Sequence, residues 1–193
     1  MNKKSLSGGK LAGGNPSRGR VLQDYYATHP DSTRALLERE KIIYPVLEPA
    51  CGEGHISRLL DGDVTSSDLI DRGYGNVGFD FLKETNFFDR KYQTVITNPP
   101  FNLFQEFVKK ALSVAEKKVI MFGKLQALEG IKRATFLENT PLKTVYVFKR
   151  RQQPMRNGKE LDEKTGKKMS STMAFAWYVW EKEYTGKPII EWI

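Results

Sequence analysis

The chain has 193 residues, of which 39% are hydrophobic and 28% charged, and a formal net charge of +8. That length suits one domain large enough to bury its own core, and the single cysteine, Cys51, excludes a disulfide framework and fits a reducing, cytoplasmic setting. No apolar run approaches the roughly 20 residues of a membrane-spanning helix, and the opening MNKKSLSGGKLAGG has lysines without the apolar stretch of a secretory signal.

Residues 1–20 carry five bases and no acid among Gly and Ser, which predicts a flexible basic arm ahead of a single domain over 21–193. Asp31, Ser32 or Thr33 is placed to cap a helix over RALLEREKII. YPVLEPACGEG reads as a buried strand entering a glycine turn, with HISRLL opening a helix behind it. DVTSSD is a weak strand ending at Asp68, and a short strand follows near 77–80. YQTVITNPPF is the clearest strand and stop, because two prolines forbid continuing the ladder.

FQEFVKKALSVAEK then shows a helical apolar stripe, KVIMFG a further buried strand, and GIKRATFLEN a short helix. LKTVYVF and MAFAWYVWEK flank a segment, 149–168, with eight bases against three acids. All the surplus charge sits there and in the arm, which suits contact with a phosphate backbone and marks Arg150, Arg151, Arg156 and Lys159 as candidate contacts. Strands alternating with helices predict a Rossmann-like α/β fold with a mostly parallel sheet of seven strands. The last strand is expected to be antiparallel, because no helix connects it to its predecessor.

Ligands on such sheets bind beyond the carboxyl ends of the strands, where the strand order reverses. Glu48–Gly54, Asp68, Asp80 and Asn98–Phe101 all fall at predicted strand ends. Gly52 and Gly54 permit tight positive-φ turns and close approach to bare backbone. No GKS or GKT follows them, and Glu48 and Glu53 would repel phosphate, so the loop suits a cationic ligand better. Asp68 lies 20 residues past Glu48, as does the acid that accepts from ribose hydroxyls in dinucleotide-type folds, and Asp80 could accept from an adenine amine. In Asn98-Pro99-Pro100-Phe101 the prolines hold the turn rigid. The Asn98 oxygen and a neighbouring carbonyl can then take both hydrogens of an exocyclic amine while Phe101 stacks on a planar base.

EPACGEG followed by ITNPPF resembles the S-adenosylmethionine-dependent amino-methyltransferases, above all the DNA adenine-N6 enzymes. DYYATHP looks like the element that precedes the glycine loop in their gamma arrangement, DLIDRGYG and the C-terminal FAWYVWEKEYTGKPIIEWI look like small phage or prophage members, and the resemblance covers residues 21–193. It implies the class I methyltransferase fold and S-adenosylmethionine as cofactor. Glu48, Pro49, Ala50, Gly52 and Gly54 would border the methionine moiety, with Thr28 and Pro30 closing over it. Asp68 would meet the ribose, Asp80 and Phe81 the adenine. Asn98, Pro99, Pro100 and Phe101 would form the target-base site, with Asn98 also bordering the cofactor, and Phe175 or Trp177 would offer a second stacking face.

The resemblance lacks an extended target-recognition domain, so the basic segments or a partner would supply specificity. The implied reaction is direct methyl transfer to adenine N6 without a metal or a covalent intermediate, and Cys51 reads as a packing residue. RNA adenine, DNA cytosine N4 and a protein glutamine amide present the same planar NH2 group and stay open as substrates. A non-catalytic nucleic-acid-binding adaptor is the alternative of another class.

Overall fold

The computed structural model describes residues 25–152, 155, 156, 158, 161, 166 and 173–193. The predicted arm and Lys159 lie outside them. In chain order the elements are β1 (Tyr26–Ala27), α1 (Pro30–Leu37), β2 (Val46–Glu48), β3 (Val64–Asp68), β4 (Asn76–Val77) and β5 (Tyr92–Thr97). They continue with α2 (Phe104–Val114), β6 (Ala115–Lys124), α3 (Ile131–Glu138), β7 (Leu142–Val147), β8 (Met155–Arg156), β9 (Phe175–Glu181) and β10 (Ile189–Trp192).

The central strands are buried on both faces, and their sequences are accordingly near-continuous apolar runs. Side chains alternate across the sheet. Val119, Met121, Tyr178 and Trp180 join Leu47, Val95, Phe107 and Val108 in one core cluster. Ile120, Phe122, Trp177 and Val179 join Leu36, Val46 and Ile96 in the other. The amphipathic α2 supplies Phe104, Phe107, Val108 and Ala111 to the first cluster.

Eight strands form the main sheet in the order β10-β7-β9-β6-β5-β2-β3-β4. β9 runs antiparallel to both β6 and β7, and the other pairings are parallel. The expected sheet of seven strands is thus corrected to eight. The antiparallel strand is the penultimate one, and β10 follows it as a parallel edge beyond β7. All four residues of β10 are exposed, so this strand lacks the burial pattern that makes the inner ones legible. A separate ribbon pairs β1 with β8, Tyr26 opposite Arg156 and Ala27 opposite Met155.

Two helix expectations are also corrected. α1 starts at Pro30 and ends at Leu37, capped by His29, whose Nδ1 accepts from the Asp31 amide at 3.2 Å. Proline is pre-organised for a first helical position, which sets the start of α1 at Pro30. HISRLL forms turns and a single 3₁₀ segment, Ser57–Leu59, rather than a helix. There the Glu48 carboxylate captures the Ser57 amide at 2.9 Å.

Strand order reverses at β2, which lies between β3 and β5. The EPACGEG loop leaves the carboxyl end of β2 and NPPF leaves that of β5, so parallel pairing brings both loops to one rim.

Candidate functional site

A cavity of about 400 Å³ opens at this rim. Its wall includes Thr28, Glu48, Pro49, Ala50, Asp68, Asp80, Phe81 and Asn98 through Phe101 from the expected set. Tyr25, Tyr26, His55, Leu69, Arg72, Phe79 and Lys83 line it as well. Pro30, Gly52, Gly54, Phe175 and Trp177 do not line it.

The glycine turn has the expected conformation, with φ of +56° at Gly52 and +81° at Gly54. What comes close to the bare backbone, however, is protein. A Cβ at Gly52 would stand 2.7 Å from the Tyr25 ring, and one at Gly54 2.6 Å from Tyr74. The Tyr25 hydroxyl donates to Glu53 at 3.1 Å and accepts from the Glu53 amide at 3.3 Å, while the Arg72 guanidinium lies 3.8 Å from the ring centroid. The segment beginning at Tyr25 therefore straps the loop down.

Glu48 is 1% exposed. Its Oε2 accepts from the Ser57 amide at 2.9 Å and from the Ser57 hydroxyl, which also pairs with Ser66 Oγ at 2.6 Å. Burial, reinforced by the nearby Asp68 charge, raises its pKa to about 8 against the hydrogen bonds from Ser57. Asp68 closes the loop onto β3: its Oδ2 accepts from the Gly52 amide at 2.8 Å and its Oδ1 from the Ile70 amide at 2.9 Å. Each carboxylate oxygen keeps a further lone pair.

Asp80 accepts from the Leu82 amide at 3.2 Å and pairs with Lys83 at 3.0 Å, and the Lys83 hydrogen bond holds its pKa below the ordinary value. The Cys51 thiol is pushed up to about 12 by burial and by the Glu48 and Asp68 carboxylates. It is therefore a neutral packing group at physiological pH. Two buried polar atoms of the wall, Thr28 Oγ1 and His55 Nδ1, have no hydrogen-bond partner among the described residues, the latter standing 4.0 Å from Glu53 Oε2.

Opposite the acids, Asn98 Nδ2 donates to the Tyr26 carbonyl at 2.7 Å. Only the NH2 end of the amide can donate to a carbonyl, so this contact fixes the flip and leaves Oδ1 as the available acceptor. Phe101 does not stand alone. Its ring stacks on Tyr26 with centroids 5.8 Å apart and meets Phe175 at 5.5 Å. Phe175 is thus behind Phe101 rather than in the cavity wall.

Trp177, expected as a stacking face, is completely buried, and its Nε1 donates to the Ser32 carbonyl at 2.8 Å. Both faces of β9 are covered, and Trp177 packs with Phe122, Phe175 and Val179 in the second core cluster. Arg150 and Arg151 are exposed at the start of the basic segment, and neither lines the cavity. Sequence reasoning missed Tyr26 and Arg72 as parts of the site; the paired tyrosines of DYYATHP were the one available signal for Tyr26.

No protein-family model and no curated protein sequence matches the chain. Solved structures do. A Listeria monocytogenes protein assigned to the class I S-adenosylmethionine-dependent methyltransferases superposes with a TM-score of 0.60 at 14% identity, over 92% of this chain and 68% of that one. The methyltransferase subunit of a type I restriction-modification system from Streptococcus thermophilus gives 0.56 at 12% identity, over 86% and 47%. The 23S rRNA methyltransferase ErmE gives 0.52 at 17%, over 83% and 70%. The chain spans about half the length of the type I subunit. At such identities the likeness is one of fold alone. This chain has the class I methyltransferase fold.

Proposed function

We propose that the protein transfers the methyl group of S-adenosylmethionine to the exocyclic N6 amine of adenine in DNA. The observation that carries this reading is the oriented Asn98 amide, held by the Tyr26 carbonyl at 2.7 Å in the wall of an acid-lined cavity.

The residues present suit the cofactor. Thr28 Oγ1 is a buried polar atom without a hydrogen-bond partner among the described residues, and Glu48 and Asp68 favour a cation. Thr28, Glu48, Pro49 and Ala50 would hold the methionine end on the turn shaped by Gly52 and Gly54. Asp68 would hold the ribose, Asp80 and Phe81 the adenine. When bound, the cofactor supplies an electrophilic sulfonium methyl.

The chain's own contribution is positioning. Asn98 Oδ1 and the carbonyl of Pro99 accept the two amine hydrogens, which draws the nitrogen lone pair out of the ring and aims it into the cavity. Pro99 and Pro100 keep that geometry rigid, so catalysis rests on orientation and electrostatic placement rather than on a strong base. The Tyr26–Phe101 pair offers a stacking surface, and a base in duplex DNA must leave its stack to reach it. Choice of sequence is assigned to the basic segment 149–168 and the arm, or to a specificity partner. RNA adenine is the second reading, favoured by the fold shared with the 23S rRNA methyltransferase.

The test is incubation with labelled S-adenosylmethionine and, separately, duplex DNA, structured RNA and protein, followed by product analysis. N6-methyldeoxyadenosine that disappears with Asn98→Ala is expected. Label confined to RNA or protein overturns the DNA assignment, and failure to bind S-adenosylmethionine at all favours the adaptor.

A further inference from the structure

A second cavity, of about 370 Å³, lies on the outer side of the NPPF turn and shares Phe101 with the first. Its wall mixes the apolar Phe101, Phe104 and Ala127 with polar groups: Asn102 and Gln105 follow the turn into α2, Lys124 ends β6 with Gln126 just beyond it, and Arg133 comes from the first turn of α3. Glu106 is its one acid, an exposed residue.

Lys124 is held at its backbone, where its carbonyl accepts from the Tyr178 hydroxyl at 2.8 Å, and its Nζ stands 4.7 Å from the Phe101 ring centroid. Arg133 spends one donor, Nε, on the Glu129 carbonyl at 2.5 Å, which leaves four of the five that a guanidinium carries. Five lysines of the fold, Lys83, Lys91, Lys117, Lys118 and Lys143, each pair with a carboxylate. Neither Lys124 nor Arg133 has such a partner among the described residues. Two cations without carboxylates, set with three side-chain amides in a concave wall, form a receptor for an oxyanion.

We propose that this cavity binds a backbone phosphate of the strand that carries the target base, with Lys124 and Arg133 as its cations. The assignment rests on the nucleic-acid reading given above and deepens it. Because Phe101 lines both cavities, a base held on one side of the turn brings its strand past the other. Lys124 then exchanges its contact with the ring for a phosphate oxygen as the base arrives. Substrate contact is thereby assigned to β6 and α3 beside the reaction site, in addition to the basic segments marked by composition.

Fluorescence anisotropy of the full chain with a labelled duplex oligonucleotide, across a salt series, tests this. Lys124→Gln and Arg133→Gln should each weaken binding and reduce the slope of log K against log salt by about one. S-adenosylmethionine affinity should not change, and Lys124→Arg should keep the wild-type slope. Thermal melts of each variant separate loss of contact from loss of fold. If wild type binds DNA and both Gln variants match it in affinity and slope, the phosphate site is wrong while the methyl-transfer reading stands. Binding to RNA alone, with the same dependence on Lys124 and Arg133, keeps the site and changes the polymer. Wild type that binds neither polymer overturns both.

Discussion

Asn98 and Tyr26 are 72 positions apart in the chain, and the side-chain amide of the first donates to the backbone carbonyl of the second at 2.7 Å. This bond ties the strap over the glycine loop to the turn after β5. It also decides which end of the Asn98 amide a substrate amine would meet.

Asn98→Ala removes the acceptor and the tie together. Methyl transfer in a single turnover should fall by at least about a hundredfold, the scale seen when an oriented transition-state contact is deleted. Calorimetric affinity for S-adenosylmethionine should change far less. Asn98→Asp keeps an acceptor oxygen but loses the donor to Tyr26, so its rate should lie between the two. Equal rates for Ala and wild type would dismiss the turn as the reacting site.

Glu48 makes stability depend on pH. Its folded pKa, about 8, lies above the ordinary value of 4.5 because the carboxyl is buried. The folded state therefore holds the proton more tightly than the unfolded chain. Its contribution to stability is complete below the ordinary value and lost as pH rises through about 8. The melting temperature of the ligand-free protein should decline over that window, and Glu48→Gln should flatten the decline. A cationic ligand favours the carboxylate, so binding should release a proton near neutrality, measurable by calorimetry in buffers of different ionisation enthalpy.

Gly52→Ala places a Cβ 2.7 Å from the Tyr25 ring on a residue with φ of +56°. A loss of about 1–3 kcal/mol is expected from the backbone strain and the displaced ring. Urea melts of Gly52→Ala, Tyr25→Ala and the double variant close a cycle. The double variant should be less destabilised than the sum, because removing the ring relieves the clash and leaves the φ strain.

Trp177→Phe tests whether this indole is core or stacking face. It loses a buried hydrogen bond to the Ser32 carbonyl and part of its volume, which predicts a lower melting temperature. Transfer per folded molecule should stay within about twofold, a difference of under 0.5 kcal/mol. A large selective loss of transfer would return Trp177 to the substrate site.

Much of this architecture was readable beforehand. VITNPPF announces a strand and its stop because proline has no donor for a ladder, and KVIMF and FAWYVW are continuous apolar runs because both faces of those strands are covered. β10 was not readable, since IIEW at an open edge is exposed throughout. HISRLL carries helical spacing, but the Glu48 carboxylate binds the Ser57 amide and hydroxyl across the loop, and tertiary contact overrode local propensity.

The alternation of strands and helices, the glycine turn, and the acids and asparagine at strand ends are written in local stretches of the chain. These depend on local properties: apolar periodicity, proline's missing donor and glycine's access to positive φ. Long-range packing sets the rest: Tyr25 caps Gly52, Tyr26 orients Asn98, and Trp177 reaches the Ser32 carbonyl in the core while Lys124 faces Phe101. Those relations join residues far apart in the chain. They are set by sheet register and by the order in which strands pair, which no local stretch of sequence encodes.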